Sequence, residues 1–291
     1  LRQTPLPLLS AFFMVYIFVS GGSFGIEEMV SSSGPGLTLI LLVTLPFFWA
    51  MPMALAACEL GSAMPNTGFY DWTKRALGPF WGFLSAWWWT LATLVDTSLY
   101  VVLAANYLQG YLGFNQNLFY FACWFVIGAF AVINILGLRL VALSSVIFSV
   151  LIISPFLVLI IVGLANWQFN PFHPIVPPGQ NLMGGDGALI LGLSVGLWMY
   201  SGYESLSTLS GEMRNSEKII PKALMLALPF VALMYVLPTL ASLAAFGQWD
   251  RFGVAGTGDS VSFIDIGRSL GGTALGHALL ASALLGNLAL Y

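Results

Sequence analysis

The sequence predicts an all-α polytopic membrane protein with two broken spans, on three observations. Hydrophobic residues make up 58% of the 291-residue chain and charged residues only 7%, against about 25% charged in a soluble domain. The apolar stretches are long and continuous, unlike the ~10-residue alternating segments of a transmembrane barrel. The first and sixth stretches are interrupted midway by glycine, serine and carboxylate residues.

In chain order, span 1 covers residues 6–32 with an interruption at 20–25. Span 2 covers 36–60, with Pro46 and Pro52 as kinks because proline removes an intrahelical donor. A polar connector, 61–76, carries Lys74 and Arg75. Span 3, 79–108, is long and holds Asp96 near its centre. Span 4 covers 117–136, and the tight connector Gly137-Leu138-Arg139 leads into span 5, 141–164. The proline-rich stretch 166–185 reads as a loop. Span 6, 188–209, is interrupted at 200–204. A charged turn, 212–222, carries Arg214, Lys218 and Lys222, and span 7 runs on to residue 246. A mixed loop, 248–270, with a short surface helix near 261–269, precedes span 8, which starts near Thr273. The final 14 residues are apolar and a span needs ~20, so the expectation is a chain that stops inside a helix.

Lysine and arginine placement sets the orientation. Arg2, Lys74, Arg75, Arg139, Arg214, Lys218 and Lys222 fall on one side, and only Arg251 and Arg268 on the other. This puts the N-terminus in the cytoplasm and the loop 166–185 outside. Cys58 and Cys123 sit in different apolar runs and read as buried small hydrophobes. His173 and His277 are solitary, so the sequence offers no metal site and calls for no cofactor. Enzyme signatures and basic patches for nucleic acid are both absent.

The first interruption reads S-G-G-S-F-G-I-E-E-M-V from Ser20. Glycine weakens a helix, and freed backbone groups at membrane depth are tolerated only in a protein-lined cavity. The backbone at Gly21, Gly22, Ser23 and Phe24 therefore reads as a binding platform, with the second half-helix presenting free amides and a positive dipole end. A glycine hinge for close packing is the bland alternative. Glu27 and Glu28 stand about 100° apart on a helix, so one of them faces the cavity. Compensation of the helix dipole, worth ~0.3–1 kcal/mol, is too small to justify both. Asp96 is an intramembrane carboxylate and hence a functional candidate, with hydrogen bonding to nearby Thr93, Thr97 or Ser98 as its alternative. At the second interruption, Ser201 and Glu204 echo the first, and corresponding broken spans point to an inverted repeat. Trp198, Tyr200 and Tyr203 flank it and could stack on an amine or simply pack.

These residues carry a family resemblance. G-G-S-F-G-I-E-E from Gly21 resembles the G-G-P-F-G-I-E-D of the polyamine-uptake branch of the L-type amino acid transporter group. That group lies within the amino acid–polyamine–organocation (APC) superfamily. E-L-G-S-A-M-P-N-T-G-F-Y-D-W from Glu59 resembles the segment after span 2, and A-L-G-P-F-W-G from Ala76 the start of span 3. G-Y-E-S-L-S-T-L-S-G-E-M-R-N-S-E-K-I-I-P from Gly202 resembles the span 6 signature and the segment beyond it. Ser23 and Ser216 replace family prolines, and span 5 lacks the lysine of some proton-coupled members.

The resemblance implies a leucine-transporter-like fold of two inverted five-helix repeats. Residues 1–165 would form the first repeat, 166–185 an external loop, and 186–291 an incomplete second repeat ending within span 8. It favours Glu27 over Glu28 as the cavity-facing carboxylate, and implies proton-responsive gating at Glu204 with Glu28. The expected function is secondary active transport of small organic cations (polyamine, agmatine or cationic amino acid) across a cell membrane, with protons and the lipid bilayer as the other partners. Four carboxylates within the spans, against no lysine or arginine, agree with a basic substrate. The alternatives are a proton-coupled neutral amino acid permease and a non-transporting amino acid sensor.

Overall fold

The structure is a computed structural model that describes residues 6–64, 67–112, 114–136, 138–184, 186–253 and 260–290. Outside them lie Arg2, Pro65 and Asn66 of the connector, Gly137, Gly185, residues 254–259 of the mixed loop, and Tyr291. Among the described residues the regular structure is all helix, save one isolated bridge between Phe252 and Val261, and residues 166–184 form a loop.

Span 1 is two helices, α1 (Leu8–Val19) and α2 (Ile26–Ser33), separated at the interruption the sequence marks. Span 2 starts with Pro35 in the first turn of α3 (Pro35–Leu45), where a missing N–H does no harm. A wider π turn, Pro46–Ala50, then joins it to α4 (Met51–Ala63). The predicted kink at Pro46 is thus a change of winding. Spans 3, 4 and 5 are α6 (Pro79–Leu112), α7 (Gln116–Ile135) and α8 (Leu138–Ala165).

Four readings are corrected by the structure. The polar connector contains α5 (Phe69–Leu77), held on α6 by Phe69 against Trp89, ring centroids 5.2 Å apart. The second interruption is shorter than 200–204. Helix α9 (Ala188–Met199) ends, and a ten-residue 3-10 helix, Tyr203–Glu212, resumes after Gly202. The charged turn is partly helix, because α10 (Ser216–Phe246) takes in Lys218 and Lys222. The short helix expected on the surface near 261–269 is present but packs inward, with Phe263, Ile264 and Ile266 buried. It continues into span 8 as α11 (Phe263–Leu290), kinked at Gly272 (φ 74°, ψ −176°).

Pro35–Ala63, Leu140–Ala165, Ser216–Phe246 and Phe263–Ala289 are long and apolar enough to cross a membrane. The broken span 1 lies at the centre of the packing. Its first half rests on α10 and α8 and its second half on α9, while α11 packs on α8 and α6. Four tyrosines, Tyr16, Tyr200, Tyr203 and Tyr235, are among the largest fully buried side chains. Such rings bring hydroxyls that want partners, and Tyr235 finds its partners at the breaks.

Candidate functional site

The span 1 break is built from glycines in the left-handed region, where a side chain is strained. Gly21 has φ 55°, Gly22 117° and Gly25 96°. Ser20 closes a small loop on itself: its hydroxyl donates to the Gly22 carbonyl (3.1 Å) and accepts from the Gly22 amide (3.2 Å). Ser23 is fully buried and donates to the Met234 carbonyl on α10. Phe24 packs on Phe156 of α8, centroids 5.1 Å apart.

The span 6 break faces it. Gly202 has φ 107°, and a Cβ there would lie 2.5 Å from the Phe18 carbonyl oxygen of α1. Ser201 donates to Leu197 O (2.7 Å), and the Tyr200 hydroxyl crosses to Leu42 O on α3 (2.7 Å). One side chain joins the two breaks. The Tyr235 hydroxyl lies 3.1 Å from Val19 O and 3.0 Å from Met199 O, the final carbonyls of α1 and α9. A helix C-terminus leaves its last carbonyls without intrahelical donors, so one shared proton serves both ends. Tyr235→Phe removes that donor from two buried acceptors. The expected loss is about 1–3 kcal/mol, read as a lower thermal midpoint of the purified protein. An unchanged midpoint would mean that the shared bond contributes nothing.

The four carboxylates are placed differently from one another. Glu27 is 2% exposed, and each of its oxygens accepts a backbone amide, Gly25 N at 2.8 Å and Phe263 N at 3.2 Å. Glu28, the next residue, is exposed. Asp96 accepts from Trp198 Nε1 (3.3 Å) and from the Tyr100 hydroxyl (3.1 Å). The two rings lie nearly parallel, 15° apart, with centroids 6.5 Å apart. A Cβ on Gly25 would sit 3.7 Å from the Trp198 ring, so the span 1 break lies beside this group. Glu204 lies in the first turn of the 3-10 helix, with Oε2 buried and without a hydrogen-bond partner. The Tyr203 and Ser207 hydroxyls share that state.

Asp96, Trp198 and the span 1 break are therefore brought together. Glu28 faces away from Glu27, and Glu204 stands beyond the Gly202 turn. Sequence reasoning missed Tyr100 and Tyr235. Tyr100 is one helical turn from Asp96 and legible as an i, i+4 partner. Tyr235 sits in an apolar run and gave no signal.

Among the described residues, four helices long and apolar enough to cross a membrane, packed around two glycine-opened breaks that a buried tyrosine ties together, point to a multi-pass membrane protein. The chain belongs to the amino acid permease family of the APC superfamily: residues 6–288 match the family model described as "Amino acid permease". It is 32% identical over 293 residues to "Polyamine transporter RMV1" of Arabidopsis thaliana, covering 100% of this chain and 57% of that protein. It is 33% identical over 301 residues to "Polyamine transporter PUT1" of Oryza sativa subsp. japonica, covering 98% of this chain and 52% of that protein. A more distant relative, "Serine/threonine exchanger SteT" of Bacillus subtilis, is 29% identical over 198 residues, covering 65% of this chain and 42% of that protein. The chain spans little more than half the length of the polyamine transporters it matches.

Proposed function

We propose that this chain carries the substrate site of a secondary active transporter for small organic cations, working by alternating access around the two breaks. The observation that carries the reading is the Asp96 group: a carboxylate held by the polar edges of two stacked aromatic rings, beside the span 1 break. A carboxylate attracts an ammonium and the ring faces add cation–π attraction. The printed names of the plant relatives agree. The backbone at Gly21, Gly22, Ser23 and Phe24, and the side chains of Trp198, Tyr200, Ser201 and Tyr203, frame the same site. Glu204 serves as a proton-responsive gate because its buried oxygen has a vacancy for a donor, with the exposed Glu28 as the second gating acid.

Residues 1–165 and 186–291 read as one complete and one partial inverted repeat. Support comes from matching contacts: span 1 packs on span 7, and span 6 packs on span 2. The printed name of the bacterial exchanger favours neutral amino acids as the second reading. Flux in proteoliposomes separates the two, with putrescine expected to exchange and leucine not. Glu204→Gln should weaken putrescine transport about ten- to hundredfold, the value of a charged hydrogen bond. Leucine flux without putrescine flux would select the alternative, and no flux of either would favour a sensor.

We place the protein in a cell membrane with the N-terminus in the cytoplasm. Arg214, Lys218 and Lys222 are all exposed at one end, as the positive-inside rule requires of a cytoplasmic turn. Cysteine at Met183, in the loop before span 6, should react in intact cells with a membrane-impermeant thiol reagent, and cysteine at Lys218 should not. The reverse pattern would invert the topology.

A further inference from the structure

We propose that Glu27 is a clasp and not a substrate ligand: its carboxylate fastens the second half of span 1 to the helix that leads into span 8, so that the two move as one body. The proposal concerns how the site opens, and it holds whichever substrate the site takes.

The geometry begins with two helix starts. Gly25 stands immediately before α2, and its amide is an orphan donor; the Phe263 amide opens α11 and is another. Residues 25 and 263 are far apart in sequence, yet both amides point at the one carboxylate, 2.8 and 3.2 Å from its two oxygens. Both helix dipoles also present their positive ends to it. Both oxygens of this carboxyl thus have the hydrogen-bond partners that burial at 2% exposure demands. At 2% exposure the remaining lone pairs are shut off from solvent, so a substrate ammonium would reach them only after the two helix starts part.

The surroundings extend the clasp into a unit. The short helix Trp249–Arg251 packs on α2. Phe263 packs edge-on against Phe252 and Phe156, centroids 6.5 and 6.0 Å away, and Phe156 in turn holds Phe24. Left-handed glycines bound this unit at both ends. Gly21, Gly22 and Gly25 lie before α2, and Gly272, with open space where a Cβ would stand, lies before the long part of α11. Hinges are positions that absorb large φ/ψ changes, and Glu27 ties together what lies between them.

The test measures opening directly. Ser262 is 1% exposed and adjoins the clasped amide, so cysteine there reacts with a hydrophilic thiol reagent only when the unit parts. Cys58 and Cys123 are first replaced by alanine to silence them. In that background two variants are compared. Glu27→Gln keeps the length and loses the charge. Glu27→Asp keeps the charge and loses the reach. Both should raise the labelling rate at residue 262 about ten- to hundredfold, since each loses at least one charged cap. Putrescine affinity in the two variants should change by equal factors, because both act through the same opening. Two results would overturn the clasp: unchanged labelling in either folded variant, or putrescine binding lost in Glu27→Gln and retained in Glu27→Asp, the signature of a charge that touches the substrate. If Glu27→Gln does not fold, Glu27→Asp alone decides by its labelling rate.

Discussion

Gly202→Ala is expected to destabilise the folded protein by about 2–5 kcal/mol, read as a much lower thermal midpoint. Two independent terms act at this position. The backbone stands at φ 107°, which an alanine adopts only under strain of about 1–2 kcal/mol. The new Cβ would also lie 2.5 Å from the Phe18 carbonyl oxygen, a backbone atom that cannot swing aside as a side-chain tip can. Overpacking of that kind typically costs about 1–3 kcal/mol. Together they reach about 2–5 kcal/mol, against total stabilities of about 5–15 kcal/mol. Gly61→Ala is the matched control, because its helical position meets nothing within 4 Å. There alanine should be neutral or stabilise by up to about 1 kcal/mol. Thermal midpoints of the two purified variants give the comparison, and equal midpoints would show that the two breaks do not touch as described.

The second large effect is expected at Asp96→Asn. Asparagine preserves the shape, and its oxygen can still accept from Trp198 Nε1 while its amide faces the Tyr100 hydroxyl. What disappears is the charge. A cation held there should lose about 1.5–3 kcal/mol, about ten- to hundredfold in affinity, while the thermal midpoint without substrate moves little. Titration of the purified variant with putrescine, set against a neutral amino acid, measures the difference. Unaltered putrescine affinity would remove Asp96 from the cation site and leave Glu204 as the working carboxylate.

How much of this could be read beforehand follows from what each feature depends on. The span 1 break was legible because it is local: three glycines in six residues adopt the conformations only glycine takes freely. That Glu27 and Glu28 diverge was equally local, a matter of 100° per residue. Helix α5 was hidden because nine residues are too few to establish a period, although Gly68 and Gly78 flank it and Trp72 turns inward. The 3-10 winding of Tyr203–Glu212 had no signature, since serine, leucine and threonine suit either helix. The Glu27–Phe263 and Tyr235 contacts are set by packing between residues more than 200 positions apart, or across two helix ends, which no local pattern carries.

That 3-10 winding has a consequence in length. A 3-10 helix rises about 2.0 Å per residue and an α-helix about 1.5 Å. The ten residues Tyr203–Glu212 therefore span about 20 Å as wound, and would span about 15 Å as α-helix. The sequence holds no proline in this stretch to forbid the exchange. An α-helix of the same residues would be shorter by about 5 Å, close to one α-helical turn. The winding thus carries the chain across about 20 Å in ten residues where an α-helix would need about thirteen.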